Sequence, residues 1–281
     1  MKKHSLNILL LFVVLNAANI GFSQELILYG EPFQGNLMLG IAKDAKQILL
    51  NDTKLKIDKT GVFVFGFDMD ANGVYKLSVK YKDGKFETRN LNVLKRNYSI
   101  EKIDNIDDKF VSVPVSERKR IEKEKILMRE ARSKVGKIDT AFFLSGFMLP
   151  VWDTVKTGDF GSYRIMKGVN KGRHNGVDFD CDEGTPIFAI SDGIVQIAGD
   201  NFFYNGNFVL LDHGQGLSTI YLHMSKLDVI SGQKVRKGDK IGEVGSTGRS
   251  TGPHLHWGAQ WYNKLIDPLS LSILNELHDG K

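Results

Sequence analysis

Residues 245–256 read GSTGRSTGPHLH, and the last three of them place one leucine between two histidines. In a β-strand, residues i and i+2 project from the same face, so His254 and His256 would point into one cavity while Leu255 enters the core behind them. Histidine is the commonest metal ligand in proteins, although two hydrogen-bonded histidines on a barrel wall would give the same pattern. The segment therefore predicts a strand that carries one metal ligand and a second histidine within reach of bound water or substrate.

A second segment, HNGVD at residues 174–178, pairs an imidazole with a carboxylate four residues later. Both groups are good zinc ligands, and Gly176 would let the chain bend so that both face one point. Alone, such a pair is often a surface hydrogen bond. Together with His256, however, His174 and Asp178 supply three protein ligands and leave a fourth tetrahedral position for water, as in catalytic zinc sites.

The general base must come from elsewhere, because the His-Glu-x-x-His helix of many zinc peptidases is absent from the sequence. His254 and His223 are the available substitutes. His213 is expected to be structural, in a turn. The only cysteine, Cys181, allows no internal disulfide, and we interpret it as a small, partly buried side chain rather than a metal ligand.

These segments resemble the lysostaphin/LytM family of zinc endopeptidases. The resemblance covers roughly residues 147–268, in the segments GSTGRSTGPHLH at 245–256, HNGVD at 174–178, GTP at 184–186, DG at 192–193, YLH at 221–223 and GQKVRKG at 232–238. Residues 35–96 and the charged helix after them also resemble a long form of the family found in Gram-negative bacteria. Some members of the family lack ligands and only activate other wall hydrolases, but no motif position is substituted in this chain.

The resemblance implies a set of three ligands for one Zn²⁺ ion per chain, namely His174, Asp178 and His256. It implies that His254 and His223 form the catalytic pair. We expect His254 to be the general base and His223 to stabilise the oxyanion, and the sequence leaves the opposite order open. Arg164 is expected either to line the cleft as a substrate-binding residue or to form a surface ion pair.

The implied activity is hydrolysis of peptide cross-links in bacterial peptidoglycan, with its stem peptides as partners. If the source is Gram-negative, family analogy points to the bond between D-Ala and diaminopimelate. Two alternatives stay open: a regulatory activator of another cell-wall hydrolase, and a peptidase for Gly-rich peptides or proteins.

The rest of the chain predicts a mainly β protein. Short apolar runs separated by glycine-containing turns recur between residues 142 and 271, which is typical of an antiparallel β-domain. Residues 75–82 alternate apolar and polar side chains, and an Asp83-Gly84 turn leads into a second run with Phe86, Leu91 and Val93, the pattern of a β-hairpin. The predicted organisation is a signal peptide at 1–24, a small β-sandwich module at 25–100, a linker with an amphipathic helix at 101–141, a zinc peptidase domain at 142–271 and a tail at 272–281.

The predicted linker helix runs over residues 116–135, where eight basic and four acidic side chains surround a narrow apolar stripe. The stripe comprises Ile121, Met128 and Val135, with Leu127 and Ala131 beside it. A solvated helix packed on the next domain fits this pattern better than a helix on a membrane surface.

The first residues predict export. Lys2 and Lys3 precede an apolar run at residues 6–15, and small and polar residues follow, so we expect a signal peptide cleaved near Ser23 or Gln24. The run is short for a membrane span, which argues against stable insertion after cleavage. The formal charge of +5 is a mild excess with no aromatic and basic pattern for nucleic acid. The expected location is the periplasm or cell envelope.

Overall fold

The computed structural model describes residues 26–278, so the predicted signal peptide and its cleavage site lie outside the described residues. The chain is mainly β with antiparallel sheets, as the sequence predicts. The N-terminal part contains seven strands: β1 Ile27–Tyr29, β2 Leu37–Ile41, β3 Ala45–Leu50, β4 Thr53–Lys54, β5 Val62–Gly66, β6 Val74–Tyr81 and β7 Phe86–Asn92. They form a three-stranded sheet in the order β1-β2-β5 and a four-stranded sheet in the order β4-β3-β6-β7.

The expected hairpin is formed by β6 and β7, which pair antiparallel around the Asp83-Gly84 turn. The Asp83 carboxylate accepts a hydrogen bond from the Lys85 backbone N–H at 3.0 Å, which fixes the turn. Leu77 and Val79 are fully buried, as their alternation predicts, whereas Phe86 lies on the surface.

The N-terminal sheets share one hydrophobic core with the C-terminal domain. The Gln215 side chain, from the C-terminal domain, hydrogen-bonds to an N-terminal strand. It donates to the Val62 carbonyl at 3.1 Å and accepts from the Val64 N–H at 3.2 Å. Arg96 forms an ion pair with Asp267, which lies beyond the last strand of the C-terminal sheet. The module is therefore packed directly against the domain that carries the histidines.

The connecting segment contains β8 Ile100–Ile103, a short helix α1 Asp108–Val111 and the helix α2 Val115–Lys134. The helix α2 begins one residue before the predicted span. Its Ile121 and Ala131 are buried, but Leu127, expected beside the apolar stripe, is 47% exposed. Among residues 26–278, no helix has the length and apolar character needed to cross a membrane.

The C-terminal part contains a 3-10 helix Phe142–Ser145, the strands β9 Val155–Gly158, β10 Tyr163–Met166, β11 Val169–Arg173, β12 Gly176–Asp180, β13 Pro186–Phe188, β14 Gly193–Phe202, β15 Gly206–Gly214, β16 Leu217–Met224, β17 Lys226–Leu227, β18 Lys234–Val235, β19 Lys240–Glu243, β20 His254–Trp261 and β21 Lys264–Ile266, and a 3-10 helix Pro268–Leu277. Its main sheet has the order β18-β14-β15-β16-β20-β12-β9, with β21 added to β20. Residues 272–277, assigned to a tail in the sequence analysis, continue the last helix, where Leu274 is fully buried.

The strand β8 has a structural role that the sequence pattern does not reveal. It pairs parallel with β10, which in turn pairs with β11, so the connecting segment completes a three-stranded sheet. The pairing places Glu101 opposite Arg164. The segment before α2 is thus built into the edge of the C-terminal domain.

Candidate metal centre

The pairing of β12 with β20 brings two of the predicted ligands together. In this antiparallel pair, Asp178 lies directly opposite His256, and Asp180 lies opposite His254. Residues opposite each other on one face of a sheet have their side chains in contact range. Leu255, between the two histidines, is fully buried on the other side of the sheet, as the strand periodicity predicts.

Gly176 is needed here for close approach rather than for a bend. Its backbone lies in β12 without a positive φ. A Cβ atom at this position would meet the Trp257 carbonyl oxygen at 2.3 Å and the His256 Nε2 atom at 2.9 Å. Only glycine leaves room for the His256 ring against this strand.

The three predicted ligand atoms converge at one point. His174 Nε2 lies 3.1 Å from Asp178 Oδ1 and 2.9 Å from His256 Nδ1, and His256 Nδ1 lies 2.8 Å from the same carboxylate oxygen. All three residues are buried. Two imidazole nitrogens and one carboxylate oxygen form a donor set suited to a divalent transition-metal ion.

The orientation of His174 supports this fit. Its Nδ1 lies 2.9 Å from the Asp159 carbonyl oxygen, which can only accept a hydrogen bond. Nδ1 is therefore the donor in this contact, and Nε2 is the ring nitrogen that faces Asp178 and His256. Hydrogen bonding of the second ring nitrogen to a carbonyl is the usual way in which proteins orient a metal-binding histidine.

The charge states of the other two residues agree with metal binding. Burial lowers the pKa of His256 to about 4, so this imidazole is neutral at pH 7. Burial alone would raise the pKa of Asp178, but its contacts with His174 and His256 bring the pKa well below its usual range. Neutral imidazole and ionised carboxylate are the forms that bind a metal ion.

Arg164 lies in the cleft and contacts the carboxylate of this centre. Its Nη2 donates to Asp178 Oδ2, and its Nε donates to Glu101 Oε2 at 2.9 Å. Glu101 Oε2 also accepts a hydrogen bond from the Ser162 hydroxyl at 3.2 Å. From the sequence, Arg164 could either line the cleft or form a surface ion pair. In the structure, Arg164 lies in the cleft and belongs to a largely buried ion-pair network.

His223 and His254 lie beside the three converging residues. Their ring centroids are 4.8 Å apart, and the His223 ring is 6.1 Å from that of His256. His223 Nδ1 lies 2.8 Å from the Thr247 carbonyl oxygen, and His254 Nδ1 lies 2.8 Å from the Gly252 carbonyl oxygen. A carbonyl oxygen can only accept, so Nδ1 donates in both rings and Nε2 is the nitrogen left to accept a proton.

The two rings differ in their environment. His223 is 6% exposed, and its backbone has a φ of 64°, which is unusual for a residue with a side chain. Burial, together with the neighbouring histidines, lowers its pKa well below the usual value. His254 is half-buried and faces a cleft of about 700 Å³ that also reaches the three converging residues.

His213 lies outside this constellation, and its predicted turn position is wrong. It belongs to β15 and is fully buried. Its Nδ1 donates to the Asp192 carbonyl at 2.7 Å, and its Nε2 hydrogen-bonds with the Thr219 hydroxyl at 2.7 Å. Cys181 is buried as well and is not part of the group that could hold a metal ion among residues 26–278.

Glu101 and the environment of Arg249 are two features of the site that the sequence did not predict. Glu101 is distant in sequence from every motif and reaches the site only through the pairing of β8 with β10. Arg249 lies inside a recognised motif, and its guanidinium stacks on the Tyr204 ring, 4.9 Å from the centroid. Its position within the GSTGRSTGPHLH segment is the sequence feature that could have indicated a role for Arg249 in the site.

Comparison with known proteins agrees with this geometry. The profile of peptidase family M23 matches residues 172–268. The peptidoglycan DD-endopeptidase ShyA of Vibrio cholerae serotype O1 is 50% identical over 84 residues, which is 30% of this chain and 19% of that protein. The DD-carboxypeptidase/endopeptidase Mpg of Neisseria meningitidis serogroup B is 42% identical over 100 residues, covering 36% of this chain and 23% of that protein. The chain thus spans about a fifth of the length of these curated relatives.

A solved structure extends the likeness beyond this domain. The crystal structure of a putative peptidase M23 from Pseudomonas aeruginosa superimposes with a TM-score of 0.62 at 26% sequence identity. The match covers 87% of this chain and 96% of the other. The motif resemblance and the fold therefore agree, and residues 172–268 of this chain match peptidase family M23.

Proposed function

We propose that this chain is a zinc-dependent endopeptidase that hydrolyses peptide cross-links of bacterial peptidoglycan. The observation that carries the proposal is the convergence of His174, Asp178 and His256 beside two further histidines in one cleft. Three protein ligands are typical of catalytic zinc sites, whereas structural sites have four. We assign His174, Asp178 and His256 as the ligands of one Zn²⁺ ion.

A zinc ion bound there would polarise a peptide carbonyl and lower the pKa of a bound water molecule. We assign His254 as the acceptor of the water proton, since it is the more exposed of the two remaining histidines. The contact of its Nδ1 with the Gly252 carbonyl orients the ring so that Nε2 receives the proton. His254 would then pass this proton to the nitrogen of the leaving amine as the peptide bond breaks.

We assign His223 as the hydrogen-bond donor to the carbonyl oxygen of the scissile bond. To donate a hydrogen bond there, its Nε2 must carry a proton, which burial disfavours in the free protein. Negative charge developing on the substrate oxygen offsets this effect, because a nearby anion raises the pKa of an imidazole. His223 would therefore take up a proton from solvent on Nε2 as this charge develops, and would donate it in a hydrogen bond to the substrate oxygen.

The substrate assignment is supported by the relatives, two of which are named as a peptidoglycan DD-endopeptidase and a DD-carboxypeptidase/endopeptidase. We propose that the stem peptides of peptidoglycan are the partners of this chain as well. Peptidoglycan lies outside the cytoplasm, so the proposed location is the periplasm or cell envelope, in accord with the signal peptide predicted at residues 1–24.

The test is digestion of purified peptidoglycan sacculi with the zinc-loaded protein, with and without a chelator, followed by mass spectrometry of the released fragments. We expect chelator-sensitive loss of cross-linked peptides, restored by added zinc. A parallel reaction with a Gly-rich peptide tests the alternative substrate. Release only when a separate wall amidase is added would instead identify a regulatory activator and refute the proposal.

A further inference from the structure

The cleft beside the candidate metal centre carries an excess of positive charge. Within residues 26–278, five basic side chains line it, namely Arg132, Arg164, Lys171, Arg173 and Arg249, against three acidic ones, namely Glu101, Asp178 and Asp180. Glu101 and Asp178 are both bonded to Arg164. Arg173 is paired with Asp70, which lies outside the lining. Counting this pair, the basic side chains still exceed the acidic ones by one.

Four of the five basic side chains already have polar partners. Arg164 bonds to Glu101 and Asp178, and the others donate to the Gln260 side chain, to the Val111 carbonyl and to Asp70. The guanidinium of Arg249, in contrast, has no hydrogen-bond or ion-pair partner among residues 26–278; its contact is the face of the Tyr204 ring. Arg249 is partly exposed, so its N–H donors are open to solvent and free to bind an anionic ligand that enters the cleft.

Arg249 is held firmly in this position. Its backbone N–H donates to the Tyr204 carbonyl at 2.9 Å, and the side chain stacks on the ring of the same residue. Burial lowers the pKa of Arg249, and the charge of Arg164 contributes to this effect, which places the two guanidinium groups within electrostatic range. The guanidinium is therefore fixed before any ligand binds, so little side-chain entropy would be lost on binding.

The loop that carries Arg249 also positions both remaining histidines. On one side of Arg249, the Thr247 carbonyl contacts His223 Nδ1 at 2.8 Å. On the other side, the Ser250 hydroxyl lies 3.2 Å from His254 Nδ1. Arg249 thus lies in the chain between two residues that contact the histidines of the proposed reaction, and it lines the same cleft as those histidines.

From these observations we propose that Arg249 forms a carboxylate-binding subsite, which selects peptides that carry a free carboxylate next to the scissile bond. The inference rests on the function proposed above. A guanidinium presents paired N–H donors that match the two oxygens of a carboxylate, and carboxylates are the anionic groups of peptides. The carboxylate belongs either to the residue on the acyl side of the scissile bond or to the residue on its amine side.

The experiment uses the full-length, zinc-loaded protein and synthetic cross-linked peptide dimers containing the bond that sacculi digestion identifies. Three dimers are compared: one with free carboxylates on both sides of that bond, one amidated on the acyl side and one amidated on the amine side. We expect one of the two amidations to lower kcat/KM roughly tenfold or more, as for loss of a charged hydrogen bond, and the other to have little effect.

Arg249→Gln is expected to reduce this preference to about one, and Arg249→Lys to retain part of it, because the charge stays but the paired donors are lost. Arg132→Gln is the matched control, since it removes the same charge from the same cleft and should leave the ratio unchanged. Zinc content, measured for each variant, establishes that the metal centre is intact.

Other outcomes would contradict either the subsite at Arg249 or the proposed peptidase function. Equal cleavage of all three dimers by the unmodified protein, or an equal loss of preference in Arg132→Gln, would overturn the subsite at Arg249. If none of the dimers is cleaved although zinc is bound, the proposed peptidase function fails, and the subsite inference fails with it.

Discussion

Arg164 holds one oxygen of Asp178 and leaves the other facing the two histidines. Its Nη2 donates to Oδ2, while Oδ1 lies 3.1 Å from His174 Nε2 and 2.8 Å from His256 Nδ1. The arginine is itself fixed by Glu101, whose carboxylate accepts from its Nε at 2.9 Å. A residue of the connecting segment therefore helps to orient the carboxylate of the candidate metal centre.

Arg164→Gln should weaken zinc binding because Asp178 would lose the donor that fixes its orientation. Loss of such a partner typically lowers metal affinity roughly 10- to 100-fold. Competition with a chromophoric chelator measures the affinity directly. Lys240→Gln, which alters an ion pair with Glu243 on a different sheet, is the control and should bind zinc normally. Unchanged affinity in Arg164→Gln would show that the contact with Asp178 does not position a ligand.

The two histidines of the HLH segment should differ in what their loss removes. His256→Ala should lose the metal, because one of the three converging nitrogen and oxygen atoms is gone. His254→Ala should keep most of the zinc and lose activity roughly a hundred- to ten-thousand-fold, as expected for loss of a general base. Elemental analysis and peptidase rates, measured on the same samples, separate the two effects. Full activity in His254→Ala would refute its assignment.

A methyl group at Gly176 should disturb the site through the backbone. In Gly176→Ala, the new Cβ would clash with the Trp257 carbonyl and the His256 ring, at a cost of about 1–3 kcal/mol in the free energy of unfolding. Gly252→Ala provides the control, since a Cβ there meets no atom within 4 Å and the change should stay within about 0.5 kcal/mol. Urea denaturation gives both values. Similar stabilities for the two variants would contradict the close approach.

His213 should make the folded state sensitive to acid. Burial lowers its pKa from 6.5 to about 4, so between these values the unfolded chain binds a proton that the folded chain does not. The contribution of neutral His213 to the free energy of unfolding is therefore complete above about pH 6.5 and is lost as the pH falls toward 4. Between pH 7 and pH 5, this residue should contribute roughly 2 kcal/mol to the loss in free energy of unfolding.

The measurement is urea denaturation of the unmodified protein and of His213→Gln at pH 7 and pH 5. The variant should be less stable at pH 7, because it disturbs the bonds to Asp192 and Thr219, but its stability should fall less between the two pH values. His278→Gln, on the surface, should keep the full pH dependence. The same fall in His213→Gln as in the unmodified protein would show that another group is responsible.

Much of the site could be predicted from the sequence because local rules position it. The alternation within a strand puts His254 and His256 on one face, and that depends only on residues adjacent in the chain. The pairing that places Asp178 opposite His256 is not local, and for it the family resemblance was needed.

The contribution of Glu101 could not be predicted, because β8 is a four-residue strand whose partner lies some sixty residues further along the chain. Nor does sequence show that Leu127 faces solvent, since an apolar residue at the edge of a helical stripe can lie on either side of the buried surface. Likewise, part of the expected tail belongs to the last 3-10 helix, in which Leu274 packs into a core formed largely by strands distant in the chain.

Anomalous diffraction at the zinc absorption edge tests most directly whether His174, Asp178 and His256 hold one metal ion. Crystals of the zinc-loaded protein should show a single strong peak in this cleft, about 2.0–2.2 Å from His174 Nε2, Asp178 Oδ1 and His256 Nδ1. A zinc peak bound by other residues, or no peak between these three atoms at saturating zinc, would contradict the metal centre and the function proposed from it.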